Sequence, residues 1–346
     1  MKTWNFGIIG AGNIADFHAK AVQSLDSAKL IGICGTNANK IKLLTEKYGC
    51  RIYNSITEML QSREIDIVVV ATPSGAHMEP TIEAAKHGKH VLCEKPLEVA
   101  LDRIDKMIKA HEKHGTRLGG IFNYRFNDAV RALKGAVDAG RFGTITNASV
   151  YVPWWRNDEY YQNNWRGTWQ LDGGGALMNQ SIHMVDLLQY LMGSVTSLSA
   201  YTATLGHPQI EVEDTAVAIL KFKNNALGIV YGSTASFPGN PRRLELTGTK
   251  GTVVIEDDYF KNWQFADPVE GDAQILKKYS NAGTGSGASD PMSIPFEPHA
   301  KNIFAFIEAI EREEPFEIDG YEASKSVEII LAIYESAEKH KEILFN

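Results

Sequence analysis

The chain has 346 residues, 44% of them hydrophobic, enough for two domains or one large one with an ample core. With 35 Lys and Arg against 42 Asp and Glu the net charge is −7, and no basic block or basic–aromatic stripe marks a nucleic-acid surface. No apolar run approaches membrane-spanning length and the first residues lack a signal-type stretch, so a cytoplasmic protein that binds neither nucleic acid nor membrane is expected. Cys34, Cys50 and Cys93 are odd in number and lack metal-like spacing, which suits a reducing compartment and no bound metal.

The first predicted element is a buried parallel strand from Trp4 to Ile9, followed by Gly10-Ala11-Gly12-Asn13-Ile14-Ala15 and a helix from Asp16 to Leu25. Between a strand and a helix this G-x-G-x-x-A run reads as a dinucleotide site. Gly10 permits the tight turn, Gly12 lets backbone approach a pyrophosphate, and Ala15 allows helix to pack on strand. Gly10, Gly12, Asn13 and Ile14 are therefore cofactor-binding candidates. The second strand, Lys29 to Cys34, ends in Gly35-Thr36-Asn37, with Lys40 beyond. It offers no Asp or Glu to a ribose 2′-hydroxyl, and Gly35, Thr36, Asn37 and Lys40 can instead accommodate a 2′-phosphate, which favours NADP over NAD.

Further along, a strand at Arg51 to Tyr53, a helix at Ser55 to Gln61 and a strand at Ile65 to Ala71 continue the alternation that implies a parallel sheet. Thr72 and Pro73 fall on the same sheet edge as Gly10. His77 is placed to touch a ribose or the nicotinamide, or else to make an ordinary hydrogen bond at a helix start. The next strand, His90 to Cys93, runs into Glu94-Lys95-Pro96. Ligands collect outside the carboxyl ends of such strands, and Lys95 delivered there can donate to a reacting oxygen while Glu94 tunes or orients it. A helix from Leu97 to His114 and a strand from Leu118 to Phe122 complete the sheet, with His111 to His114 read as an exposed helix end.

After Asn123-Tyr124-Arg125-Phe126 the pattern changes. A helix from Asn127 to Ala139 is followed by strand-like runs at 144–152, 196–204, 215–222, 227–233, 243–248 and 252–256, without regular helical crossovers. They predict a large, mostly antiparallel sheet in an α+β domain. The expected division is a Rossmann domain at 1–123 and a substrate-binding and oligomerisation domain at 124–346. Asn281 to Ser289, rich in Gly, Ser and Ala, reads as a surface loop, and helices at Pro298 to Arg312 and Tyr321 to His340 close the chain.

Within the second domain, Asp172-Gly173-Gly174-Gly175 leads into a helical run from about Ala176 to Leu191, where Asn179, His183 and Asp186 share one face. A neutral His183 there can take an alcohol proton, Asn179 can position its ring or the substrate, and Asp186 can hold the other ring nitrogen. The three glycines argue for close approach of something at the helix start. Upstream lies a cluster of Trp154, Trp155, Arg156, Tyr160, Tyr161, Trp165, Arg166 and Trp169, whose rings suit a pyranose face and whose guanidinium groups suit hydroxyls, a carboxylate or a phosphate. Arg166, with Trp165 beside it, and Arg125 at the domain junction are the substrate-binding candidates.

Gly10 to Ala15, Glu94-Lys95-Pro96, Asn123-Tyr124-Arg125 and the triple-glycine helix carrying His183 together resemble the Gfo/Idh/MocA oxidoreductase family, over nearly the whole chain. The resemblance implies a Rossmann domain plus a sheet domain whose open face supports homodimers or homotetramers. It also implies NAD(P)-dependent hydride exchange with a secondary hydroxyl of a sugar, glycoside or cyclitol. Lys95 and His183 become the catalytic pair, with Lys95, Asn179 and His183 also touching substrate. Family members often carry Asp one turn before the histidine; here that position is Asn179, and an amide cannot relay a proton. Asn179-Gln180-Ser181-Ile182-His183 resembles a branch acting on glycosides and nucleotide-linked sugars. Two other readings stay open: a glycoside-cleaving or lyase-like enzyme using nicotinamide transiently, and a non-catalytic nucleotide and sugar sensor.

Overall fold

The computed structural model describes residues 2–162, 165–280 and 295–345. The Gly-rich stretch Asn281 to Ser289 lies outside them. In chain order the first elements are β1 (Trp4–Ile9), α1 (Asn13–Gln23), β2 (Ala28–Cys34), α2 (Ala38–Tyr48), β3 (Arg51–Tyr53), α3 (Ile56–Gln61), β4 (Ile67–Val70), α4 (Met78–Lys86), β5 (His90–Cys93), α5 (Leu101–His114) and β6 (Leu118–Gly120). Then come α6 (Asp128–Asp138), β7 (Ile145–Pro153), a π-helical segment (Ala176–Ser181), α7 (Ile182–Met192), β8 (Val195–Ala203), β9 (Thr215–Phe222), β10 (Leu227–Ser233), β11 (Arg243–Gly248), β12 (Gly251–Glu256), β13 (Tyr259–Phe265), α8 (Asp272–Tyr279), α9 (Glu297–Glu311), α10 (Gly320–Lys339) and β14 (Ile343–Leu344). No helix of the described residues is long and apolar enough to cross a membrane.

The chain divides into two units, and the division differs from a single cut after residue 123. Unit 1 comprises Met1–Asn123, Gln170–Gly173 and Pro295–Val327; unit 2 comprises Tyr124–Trp169, Gly174–Ile294 and Glu328–Asn346. The returning segments join unit 1 through packing. α9 lies on α1, Phe306 and Phe316 fill the space a side chain at Gly119 would need, and Gly120 N donates to Ile318 O at 2.8 Å. Gly75 N donates to Leu171 O at 2.8 Å, which ties the short segment 170–173 to the loop after β4.

In unit 1 all six strands are parallel in the order β3-β2-β1-β4-β5-β6, the doubly wound Rossmann arrangement. The strands at its centre are mostly apolar, with Phe6, Ile8, Val68, Val69, Val91 and Leu92 fully buried, as a sheet covered on both faces requires. α5 starts at Leu101, later than the expected Leu97. The intervening residues are held by buried Glu98, which accepts from Arg103 Nε at 2.7 Å. His111, expected on an exposed helix end, is 2% exposed and bonded through Nδ1 to Thr116 Oγ1; burial pushes its pKa down to about 4.

Unit 2 is built on an eight-stranded sheet in the order β13-β12-β11-β7-β10-β9-β8-β14, antiparallel except for β7 and β10. α7 packs on β7. Along β9 Ala216, Ala218, Leu220 and Phe222 are buried while Val217, Ile219 and Lys221 are exposed, so one face of the sheet carries the core. β13 and α8 were not expected. The apolar spacing of Phe260, Trp263 and Phe265 breaks strict alternation, and α8 buries no residue. α8 is tethered by Asp272, whose carboxylate takes both Nη groups of Arg141 at 2.7 Å and Trp263 Nε1 at 2.7 Å. Asp272→Ala should free α8, costing about 1–3 kcal/mol for the lost charged hydrogen bonds; faster amide exchange confined to α8 and β13 is the expected readout.

Candidate active site

The turn after β1 carries the first candidates. Gly10 has φ +118°, and a Cβ there would lie 2.2 Å from Ala71 O, so β1 and β4 approach closely only because this residue is glycine. Gly12 differs. Its φ of −74° suits any residue and a Cβ would meet nothing within 4 Å. Nothing among the described residues requires glycine at that exposed position, whereas the close approach of a pyrophosphate to backbone at a helix start does. Ala15 is fully buried beneath it. Asn13 is exposed and Ile14 partly so, and Asp16 in the first turn is neutralised by Lys47 at 2.6 Å. The residues present thus fit a dinucleotide.

Gly35 packs against Ala11, 3.3 Å from a virtual Cβ, which brings the end of β2 to this turn. Thr36 and Lys40 are exposed, and Asn37 caps α2 by accepting from Lys40 N at 3.0 Å. Thr72 and Pro73, half-buried, follow β4 on the same carboxyl edge. For His77 the ordinary hydrogen-bond reading holds: it is 1% exposed, with Nδ1 2.9 Å from Pro96 O and Nε2 2.9 Å from Thr72 O. It latches the two strand exits together, and burial lowers its pKa against the opposing pull of those carbonyls.

Glu94 and Lys95 leave β5 at that edge. Glu94 is buried; one oxygen accepts from Lys95 N at 3.0 Å and the other lies 2.7 Å from Nε2 of the fully buried His18 on α1. Burial alone would raise its pKa, but the His18 hydrogen bond and the charges of His18, His299 and Lys95 hold it at about 2. Glu94 therefore orients the backbone of Lys95 and braces it on the helix whose start faces the Gly12 turn. The sequence signal for His18 is its place three residues after Ala15 on an otherwise apolar helix face.

In unit 2 the helix bearing Asn179 and His183 begins as a π-helix and continues as α7. Gly174 and Gly175 of the triple glycine are explained by the protein itself. A Cβ on Gly174 would lie 2.1 Å from Tyr334 Oη, and one on Gly175 would lie 1.8 Å from Glu213 O. Buried Glu213 accepts from Gly175 N at 2.9 Å, Leu177 N at 2.8 Å and Tyr334 Oη at 3.0 Å, anchoring the helix start. Burial pushes its carboxyl up to about 7 against these donors.

Asn179 and His183 are both half-buried. Asn179 Oδ1 accepts from Gln180 Nε2 at 2.8 Å and Tyr160 Oη at 3.3 Å, and Gln180 Oε1 accepts from Arg156 Nη2 at 2.7 Å. Tyr160 carries two guanidinium groups near its ring, Arg166 at 4.1 Å and Arg156 at 5.5 Å, and Arg166 also lies 5.1 Å from the ring of Trp165. Asn179, Arg166 and Trp165 thus belong to one polar–aromatic cluster, through Tyr160 and Gln180. Arg125 is corrected: it is 1% exposed and binds Asp186 bidentately at 2.7 and 2.6 Å. The pair lies in the core of unit 2. Lys95 belongs to unit 1, and Asn179 and His183 to unit 2.

A doubly wound sheet with a dinucleotide turn, followed by a separate sheet unit bearing a histidine helix, defines a nicotinamide-dependent oxidoreductase. Residues 4–121 match the oxidoreductase family with an NAD-binding Rossmann fold, and residues 130–254 match the GFO/IDH/MocA C-terminal domain. The chain belongs to the Gfo/Idh/MocA oxidoreductase family. It is similar to the WlbA dehydrogenase from Bordetella pertussis, solved with NADH and UDP-GlcNAcA: 33% identity, 100% of this chain and 98% of that one, TM-score 0.91. WlbA from Chromobacterium violaceum, also with NADH and UDP-GlcNAcA, is 34% identical over 100% of this chain and 97% of that one, with TM-score 0.88. Myo-inositol 2-dehydrogenase of Thermotoga maritima is 31% identical over 261 residues, 72% of this chain and 75% of that enzyme.

Two outcomes follow from the cofactor edge. Gly12→Val should weaken NADH binding by about tenfold or more while leaving the melting temperature unchanged, measured by titration calorimetry and thermal denaturation. Glu94, depressed from 4.5 to about 2, stabilises the folded state fully above pH 4.5 and loses that contribution as pH falls toward 2. Glu94→Gln should therefore show a smaller decline in urea midpoint across that window than the parent protein.

Proposed function

We propose that this protein is an NAD-dependent dehydrogenase of a nucleotide-linked uronic acid, oxidising one secondary ring hydroxyl. The observation that carries the reading is its similarity, over the full chain, to two dehydrogenases solved with NADH and UDP-GlcNAcA. The cluster of Arg156, Arg166, Tyr160 and Trp165 beside Asn179 supports it, offering guanidinium donors suited to a carboxylate or diphosphate and ring faces suited to a pyranose.

The alcohol loses a hydride from carbon and a proton from oxygen as it becomes a ketone. NAD, when bound, accepts the hydride. In this reading Gly10, Gly12, Asn13 and Ile14 hold its pyrophosphate, with Thr36 at the ribose and Thr72 and Pro73 along the same edge. We place NAD ahead of the NADP suggested by the end of β2, because both similar structures carry NADH. His183 takes the hydroxyl proton and Lys95, aimed by Glu94, donates to the same oxygen. Asn179, unable to relay a proton, positions a neighbouring substrate hydroxyl. Exposed Tyr201, Val217 and Ile219 on the sheet of unit 2 support a homo-oligomer.

The test is reduced-nicotinamide absorbance with purified protein, UDP-GlcNAcA and either NAD or NADP. Growth with NAD is expected, and His183→Asn should lower kcat on the order of a hundredfold or more with NADH binding retained. Growth with inositol or free pyranoses but not with UDP-GlcNAcA would overturn the substrate; unaltered turnover in His183→Asn would overturn the base.

A further inference from the structure

His183 is half-buried on α7, and the ring of Tyr124 packs on it. The Tyr124 side chain, 6% exposed, stacks on the imidazole with centroids 4.5 Å apart and planes 29° apart. The guanidinium of Arg242 sits over the same Tyr124 ring, 4.2 Å from its centroid. Guanidinium and imidazole thus both lie against the one Tyr124 ring. Offset stacking and cation–π contact at these distances are favourable geometries.

Arg242 is fixed in turn. It is 4% exposed, its Nη1 lies 3.4 Å from Asp257 Oδ1, its Nη2 bonds Asp258, and its backbone carbonyl accepts from Asp257 N at 2.8 Å. The turn between β12 and β13 therefore clamps Arg242, and Arg242 backs Tyr124. The next residue, Arg125, binds Asp186, three positions after His183. Tyr124 and Arg125 thus grip neighbouring positions on one face of α7.

A histidine that serves as a base must aim one nitrogen lone pair at one hydroxyl, and its ring otherwise turns about the terminal side-chain torsion. We infer that Tyr124, backed by Arg242, is a positioning residue that fixes the plane of the His183 ring for proton abstraction. The inference rests on His183 being the base.

The experiment compares Tyr124→Leu, Tyr124→Phe, Arg242→Gln and His183→Asn in the full chain, with UDP-GlcNAcA and NAD as probes. Tyr124→Leu should lower kcat by about tenfold or more with KM for the sugar held within about twofold, and Tyr124→Phe, which keeps the ring, should restore it. A second readout needs no substrate. The His183 ring-proton resonances, assigned by their loss in His183→Asn, should be shifted upfield by the Tyr124 ring current in the parent and in Tyr124→Phe, and move downfield in Tyr124→Leu. Should Tyr124→Leu fail to fold, Arg242→Gln keeps the ring and removes its clamp, and should broaden or move the same resonances while lowering kcat. Resonances unmoved in Tyr124→Leu or Arg242→Gln, or a Tyr124→Phe protein as impaired as Tyr124→Leu, overturn the inference. Loss of turnover in His183→Asn with full turnover in Tyr124→Leu overturns the positioning role alone; full turnover in His183→Asn overturns the base assignment and the inference with it.

Discussion

A single buried carboxylate decides where the histidine helix of unit 2 begins. Glu213 accepts the N–H groups of Gly175 and Leu177 and the hydroxyl of Tyr334, and so satisfies donors that a helix start leaves orphaned. The backbone just before β9 runs so close that only glycine fits at Gly175, with 1.8 Å from a virtual Cβ to Glu213 O. The π-helical start and the placement of Asn179 and His183 descend from that contact. Ser181 Oγ bonds Ala176 O at 2.7 Å across the wider turn, and Gly232 leaves room for the same hydroxyl. Polar groups on the exposed side of this helix then meet the Tyr160, Gln180 and Arg156 cluster on one side and Tyr124 on another.

Unit 1 follows the same economy. Glu94 joins the strand end carrying Lys95 to His18 on α1, and His77 joins the exits of β4 and β5. Both side chains are buried and both bond backbone or buried partners, so their contribution to chemistry is through placement. The helix that begins at the dinucleotide turn and the strand that delivers Lys95 are thereby braced within one unit. A buried pair such as Glu94 and His18 is costly to break one-sidedly, because the partner is left without compensation.

Much of the fold was legible in the sequence because its signals are local. The strand, glycine turn and helix at residues 4–23, the apolar runs of β4 and β5 and the alternation of β9 each declare themselves within a few residues. What escaped notice depends on contacts distant in sequence. Arg125 read as a substrate contact because its partner Asp186 is 61 residues away, and Gly174 and Gly175 read as part of a ligand approach because Tyr334 and Glu213 lie far along the chain. β13 and α8 lack a clean period and are secured by the Arg141–Asp272 pair, 131 residues apart. Gln180 and Tyr160 flank residues with evident chemical character, but only the hydrogen bonds among Tyr160, Asn179, Gln180 and Arg156 reveal that they act together.

The account rests on direct hydride transfer from a nucleotide-linked uronic acid to NAD. The most direct measurement is mass spectrometry of the nicotinamide product after incubation of the protein with NAD and UDP-GlcNAcA deuterated at the ring carbons. The account predicts NADH heavier by a single deuterium, with a ketone in the sugar product. Unlabelled NADH, or no reduced nucleotide at all alongside intact sugar, would contradict it.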